Sequence, residues 1–451
     1  MLHKYKLFNQ NIVIDVYSGS VHIVSDCVYD ILDEKNFDKK NIDKKYIELY
    51  GENEIAEAVL EIEELIKNGL LYSHDIYRPV YEAKTKNPPV KALCLHMAHD
   101  CDLRCRYCFA GTGAFHGERT LMTEEVAKKA IDFVIENSQN RRNIEIDFFG
   151  GEPMLNFEVV KKTVAYAEEM GKIHGKNFRF TITTNGNIIN EEQVKYINEH
   201  MSNIVLSCDG RKEVNDKNRK TTDGRGTYDI IIDKFKDIAK SRNQNNYYIR
   251  GTFTRDNLDF AEDVKHFADL GFKQISVEPV ALPKSSPLSI NEEHLEEVYK
   301  EYERLAEEII KREKENKDTF NFFHFMIDLD NGPCALKRIS GCGAGCEYLA
   351  VTPSGDIYPC HQFAGEKDFL MGNVLTDTKT TNDALKEKFK IRDIYHIKGC
   401  DECFAKFYCS GGCAANSVHF ENDMYLPYKI GCEMQRKRVE CAIGIKAALS
   451  D

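Results

Sequence analysis

The chain has no tryptophan, no excess of positive charge and no long apolar run. Without an uninterrupted apolar stretch of about 18 residues, a membrane-spanning helix is not expected. The formal net charge of −12 gives no positive field to release counterions from a phosphate backbone, which argues against nucleic acid as the main partner. The opening "MLHKYKLFNQ" lacks the apolar core and small-residue cleavage site of a secretory signal, so a cytoplasmic location is the expectation. One further absence bears directly on chemistry. Cys101, Cys105 and Cys108 in "HDCDLRCRYCFAG" have no fourth cysteine nearby to close a tetrahedral site. The missing tryptophan carries no functional reading.

What is present is enough for buried cores and a charged surface: 42% apolar and 30% charged residues over 451 positions. That length suggests two or three domains. Cysteine is abundant, at 16. In a reducing compartment clustered cysteines are metal ligands more often than disulfides.

Three segments follow from the patterning. In residues 1–85, "NIVIDVYSGSVHIVSD" contains two strand-like runs meeting at a Ser18-Gly19 turn. Helices are expected near 25–34 and 42–50. A third runs from Glu52 to Lys67, with Ile55, Val59, Ile62, Leu65 and Ile66 on one face and a stop at Asn68-Gly69. Two or three strands with three short helices suit a small winged-helix-like domain, and "RPVYEAKTKNPPV" (78–90) reads as a linker.

Residues 86–315 repeat a strand–helix theme six times, with strands at "VKALCLHMA", "NIEIDFF", "NFRFTITT", "NIVLSC", "YYIRGTFT" and "ISVEPV". Helical patterns fall near 123–137, 157–173, 191–200, 227–242, 260–270 and 291–314. Such alternation predicts an α/β fold, a partial (β/α)6 TIM-like barrel with right-handed crossovers. The chemistry-bearing residues sit just past the strand ends, on the face where parallel barrels build active sites. They are the three cysteines, then Gly150-Gly151-Glu152-Pro153, Asn185-Gly186, and Ser207 with Asp209-Gly210. Residues 316–451 show weaker periodicity and hold ten cysteines, so metal rather than an ordinary core is expected to organise them.

Three thiolates leave one corner of a 4Fe–4S cube open. A zinc site completed by His96 or His99 is the competing reading, although zinc knuckles favour a two-residue gap and Cys101–Cys105 has three. "CDLRCRYC" resembles the C-x3-C-x2-C signature of radical S-adenosylmethionine enzymes, and "FFGGEP", "TTNG" and "LSCDG" resemble the strand ends that hold the nucleotide. The resemblance implies S-adenosylmethionine contacts at Tyr107, Gly150, Gly151, Glu152, Asn185, Ser207 and, from "DKNR", Arg219. It also implies a mechanism in which one electron splits the sulfonium into a 5′-deoxyadenosyl radical able to take hydrogen from an unactivated carbon. The cofactor carries that chemistry while the protein orients it and excludes water.

In the tail, "CDECFAKFYCSGGC" places Cys400, Cys403, Cys409 and Cys413 at gaps of two, five and three, with Cys342 and Cys360 upstream and Cys432 last. This resembles the SPASM extension of peptide-modifying radical enzymes. It implies two auxiliary clusters, hence three 4Fe–4S clusters in all. One would use Cys400, Cys403, Cys409 and Cys432. The other would use Cys342, Cys360 and Cys413 with an open iron, or with Cys346 or Cys334 at the extra corner. Cys27, Cys94, Cys208 and Cys441 read as ordinary packed thiols.

The first segment resembles the leader-recognition domain of ribosomal-peptide modifying enzymes, which add an extended leader to a sheet edge. "GCGAGCEYLAVTPSGDIYPCHQF" (341–363) brings the whole chain closest to the SCIFF-peptide maturases. That resemblance implies thioether formation in a cysteine-rich precursor peptide, with a reductant such as flavodoxin or ferredoxin and no membrane or nucleic-acid partner. Two alternatives remain at this point: formylglycine formation of the sulfatase-maturing type, and a metal-stabilised binding protein without catalysis.

Overall fold

A computed structural model describes residues 1–33, 35–82, 88–329 and 338–450. The chain opens on β1 (Leu2–Leu7), β2 (Gln10–Asp15) and β3 (Val21–Val24), an antiparallel sheet in that spatial order. Gly19 makes the β2–β3 turn with φ of 75°, a left-handed conformation glycine adopts without steric cost. Helices α1 (Asp26–Ile31), α2 (Lys44–Tyr50) and α3 (Glu52–Lys67) follow. α3 buries Ile55 and Ile62 against Val13, Val28 and Leu32, a small core separate from the main one. The stretch that reads as a linker begins instead as α4 (Tyr77–Glu82). That short helix is held by tertiary packing, because Tyr77 and Tyr81 lie against Ile394, Ile397 and Phe407.

The six strand–helix units all form. They are β4 (Ala92–Ala98), α5 (Glu124–Asn137), β5 (Asn143–Gly150), α6 (Phe157–His174), β6 (Asn177–Thr184), α7 (Glu191–His200) and β7 (Asn203–Ser207), then α8 (Lys212–Asn218), α9 (Tyr228–Ser241), β8 (Tyr247–Phe253), α10 (Phe260–Asp269), β9 (Gln274–Pro279) and α11 (Leu295–Glu315). Strands β4 to β9 lie side by side in sequence order, all parallel, giving a mixed α/β fold with a parallel sheet. All seven residues of β4 are buried, as expected for a strand covered on both faces. Helix α8 lies outside the expected pattern, since seven residues span too few turns to show a period.

The sheet continues past residue 315. β10 (Asn321–Phe322) pairs with β9, and β11 (Tyr348–Val351) pairs in parallel with β4. β12 (Asp356–Tyr358) and β13 (Gly372–Asn373) extend it antiparallel, to ten strands. The tail therefore has an ordinary core as well as its cysteines. Leu349, Val351, Ile357 and Phe363 join the main apolar cluster, contrary to the expectation that metal alone organises it. A 21-residue helix, Lys429–Leu449, closes the chain, and its Arg438 Nε donates to the Tyr302 hydroxyl of α11 at 2.8 Å. Among the described residues no helix is long and apolar enough to cross a membrane.

Candidate active site and cysteine sets

A cavity of about 470 Å³ opens at the carboxyl ends of β4 to β9. Cys101, Cys105 and Cys108 line it together with Tyr107, Gly150, Gly151, Glu152, Asn185, Ser207 and Arg219. Every residue singled out for the nucleotide site thus faces one space.

The cysteine loop is fixed from two sides. Arg104 N–H donates to the Lys220 carbonyl at 2.7 Å and Arg106 N–H to the Asn218 carbonyl at 3.0 Å. On the other side Gly151 N–H reaches the Ala98 carbonyl and Glu152 N–H the Asp100 carbonyl, both at 2.8 Å. This approach is why glycine is required. A Cβ on Gly151 would sit 2.6 Å from the Asp100 carbonyl carbon and closer still to its oxygen. Gly150 adds a φ of 122°.

Glu152, expected as an acceptor for a ligand ammonium, also organises its own neighbourhood. Its Oε1 accepts from Met154 N–H (3.1 Å) and Thr184 Oγ1 (2.8 Å), and Oε2 accepts from Asn185 N–H (2.8 Å). Burial pushes its carboxyl up to about 7, against the opposing pull of the Asn185 N–H. Asp102, which the sequence did not single out, completes the bracket. Its two oxygens accept from Asn185 Nδ2 and Asn187 Nδ2, each at 2.7 Å.

Across the cavity, Tyr107 donates its hydroxyl to both Asp209 oxygens at 2.6 and 2.7 Å. Arg219 Nη1 donates to the Tyr107 hydroxyl at 3.1 Å and lies 3.9 Å from Asp209. Burial lifts the Asp209 carboxyl to about 6, opposed by Arg219. Among the described residues the Arg219 Nε is buried without a partner, so this triad presents an unspent donor where a ligand is expected.

Three buried or half-buried thiols lining one cavity form a donor set that suits a thiolate-held iron–sulfur cluster. Burial pushes Cys105 up to about 11, with Arg219 pulling it down, and raises Cys101 as well, with Glu152 adding to the effect. Such thiols need a metal to take their protons. Among the described residues no three His, Cys, Asp or Glu side chains converge tightly enough for one ion. Neither histidine joins the thiols: His96 Nδ1 meets His99 Nε2 at 3.0 Å, and both rings pack on Phe115.

The tail cysteines fall into two groups. Burial pushes Cys400 up to about 12, reinforced by Cys409, Cys432 and Cys403. Burial likewise raises Cys360, reinforced by Cys413 and Cys342. Cys346 belongs to neither group: its Sγ donates to the Lys386 carbonyl at 3.7 Å, and the charged groups acting on it come from Lys386, Glu347, Lys390 and Glu387. Cys334 lies outside the described residues. Between the groups sits buried Arg392, whose guanidinium donates to the Gly411 (3.0 Å), Gly412 (3.3 Å) and Met424 (2.9 Å) carbonyls. His361, next to Cys360, lines the cavity and packs on Phe149. Cys27, Cys208 and Cys441 are packed thiols; Cys94 is buried too, but opens on the cavity.

Residues 91–232 match the family described as a 4Fe-4S single cluster domain. The chain is 30% identical over 303 residues, 66% of its length and 94% of the relative's, to an uncharacterized protein of Methanocaldococcus jannaschii. It is 23% identical to the radical SAM cyclopropyl synthase TigE of Paramaledivibacter caminithermalis, over 96% of this chain and 87% of that one. A cysteine-type anaerobic sulfatase-maturating enzyme of Clostridium novyi is 23% identical over 70% of this chain and 86% of its own. In fold it is similar to the structure of anSMEcpe with bound AdoMet, with a TM-score of 0.65 at 20% identity over 81% of this chain and 99% of that one.

Proposed function

The chain belongs to the radical S-adenosylmethionine/SPASM-type maturase family, and from that premise we propose that it joins a cysteine sulfur to a carbon of another residue in a ribosomally made, cysteine-rich precursor peptide. Cys101, Cys105 and Cys108 would hold the 4Fe–4S cluster that receives S-adenosylmethionine, with Tyr107, Gly150, Gly151, Glu152, Asn185, Ser207 and Arg219 around the nucleotide. The tail groups would hold two auxiliary clusters, one on Cys400, Cys403, Cys409 and Cys432 and one on Cys342, Cys360 and Cys413. Bound there, the cofactors supply a hydrogen-atom acceptor and a one-electron acceptor, the two equivalents that a sulfur–carbon bond releases along with one proton.

The observation that carries this reading is the three-thiol group beside the cavity. Cys342, Cys360 and Cys413 gather without Cys346, and His361 connects that group to the cavity wall. An open corner there suits a peptide thiolate. The first unit suits capture of the leader: β3 is an edge strand of its sheet, and Ile23 on it is exposed. An extended segment can pair with such an edge. A small electron-transfer protein such as flavodoxin or ferredoxin would deliver the electrons.

Formylglycine formation is the second reading, favoured by the likeness to a sulfatase-maturating enzyme. Anaerobic turnover of a cysteine-rich peptide, read by mass spectrometry, separates the two. A thioether gives a loss of two hydrogens, fewer alkylatable thiols and stoichiometric deoxyadenosine. An aldehyde that traps hydrazine supports the second reading, and deoxyadenosine without any change in the peptide refutes both.

A further inference from the structure

Thioether formation leaves one proton to be placed. Three carboxyls line the cavity: Asp147, Glu152 and Glu278. Two are committed. Glu152 accepts three hydrogen bonds from its own chain. Glu278 pairs with His324 at 3.2 Å and faces Arg250 at 3.9 Å. The Asp147 carboxylate makes no hydrogen bond or ion pair among the described residues.

Its direction follows from register. Asp147 on β5 pairs with Cys94 on β4 and Thr181 on β6, and side chains paired across a parallel sheet share a face. Here that face is the cavity, which Cys94 and Thr181 also line. An acidic residue turned toward the cavity, with no hydrogen bond or ion pair among the described residues, has no structural partner to account for it.

We propose that Asp147 is the general base that takes the proton from the peptide's cysteine thiol. This rests on the reading that the peptide substrate reacts through a cysteine sulfur. The S–H bond breaks, an O–H bond forms on Asp147, and sulfur keeps the electron pair with which it bonds to the carbon that has lost a hydrogen atom. The remaining electron would pass to the iron–sulfur acceptor proposed above, and on that basis atoms and charge balance.

The surroundings suit the task. Burial lifts the Asp147 carboxyl to about 7, with Glu145 pushing the same way. That approaches the roughly 8.5 of a free thiol, the matching that makes proton transfer efficient. The groups facing it are Cys94 from β4, Thr181 and the more distant Arg179 from β6, and Tyr348 from β11. Glu145 lies along its own strand, and His361 stands across the cavity.

The test compares wild-type, Asp147→Asn and Asp147→Glu enzymes of equal iron content, turned over anaerobically with a cysteine-rich peptide between pH 5.5 and about 9. Wild-type product formation should rise through an apparent pKa near 7. Asp147→Asn should lose about a hundredfold at neutral pH and shift its rise toward about 8.5, the range of the thiol itself. Asp147→Glu should restore part of the rate and the lower pKa. Infrared difference titration gives a readout independent of turnover: a carboxyl band that titrates in the wild type and is absent from Asp147→Asn. An Asp147→Asn enzyme with wild-type rate and pH profile, or an unchanged carboxyl band, overturns the assignment while the thioether reading stands. A hydrazine-trappable product overturns the thioether reading and leaves the base to the pH profiles. A wild-type enzyme that leaves the peptide unmodified overturns both.

Discussion

Gly151→Ala is the sharpest test of how the site is built. Gly151 lies outside the left-handed region, so alanine meets no backbone penalty and the whole effect is steric. The added methyl would lie 2.6 Å from the Asp100 carbonyl carbon and 3.1 Å from Gly113 Cα. Both neighbours are main chain and cannot rotate away. Relief requires the loop ahead of Cys101 to move, forfeiting the 2.8 Å bonds from Gly151 N–H to Ala98 and from Glu152 N–H to Asp100. Overpacking of about 1–3 kcal/mol with about 1 kcal/mol per lost bond gives roughly 3–5 kcal/mol against the formed loop. That is on the order of 10²–10³-fold in nucleotide affinity. After anaerobic reconstitution, iron should fall by about four per chain, with nucleotide binding lost in calorimetry and the circular dichroism unchanged. A variant that keeps its full iron and binds S-adenosylmethionine within twofold of wild type would refute the reasoning.

Three further outcomes are expected. Cys342→Ala should lower the iron content by about four per chain while Cys346→Ala leaves it unchanged; equal losses would show that Cys346 is a ligand after all. Asp209→Asn strips the buried Arg219 of its carboxylate and should destabilise the protein by about 3–5 kcal/mol in denaturant titration, weakening nucleotide binding in parallel. The third concerns pH. The Glu152 carboxyl, raised from 4.5 to about 7 in the fold, holds its proton longer folded than unfolded. Its contribution is therefore complete below about pH 4.5 and is lost as pH climbs through 7, at most about 3 kcal/mol. The melting temperature of metal-free wild type should fall across that window more steeply than that of Glu152→Gln, and parallel curves would count against it.

The six strand–helix units were legible because periods of two and 3.6 are sustained over five to twenty-one residues. The sheet's extensions were not. β10 to β13 run for two to four residues, too short for any period, and are placed by neighbours already formed. The cysteine sets were implied by the resemblance to the SPASM extension, whereas the contacts around the cavity join distant positions. Tyr107 and Asp209 are 102 residues apart, and Tyr107 and Arg219 are 112 apart. Asp147 shows the limit most clearly. Alternation along "NIEIDFF" says that the aspartate faces opposite its apolar neighbours, which in most sheets means solvent. In this one the face lines a cavity instead, together with Cys94 and Thr181 of the neighbouring strands.

The last helix, Lys429–Leu449, touches all three parts of the chain. It carries Cys432 in its first turn, meets α11 through Arg438 and supports the first sheet. Glu440 pairs with His3 at 3.0 Å, its carbonyl accepts the Tyr5 hydroxyl at 3.0 Å, and Gly444 fits under Leu7 and Phe8. The first unit is thus docked rather than swinging on a tether, and a peptide seated on it would start from a surveyed origin. With at most about 3.3–3.6 Å of reach per extended residue, the distance from that origin to the cavity would act as a ruler. Lengthening the peptide between anchor and core should slide the modified position along it, residue for residue.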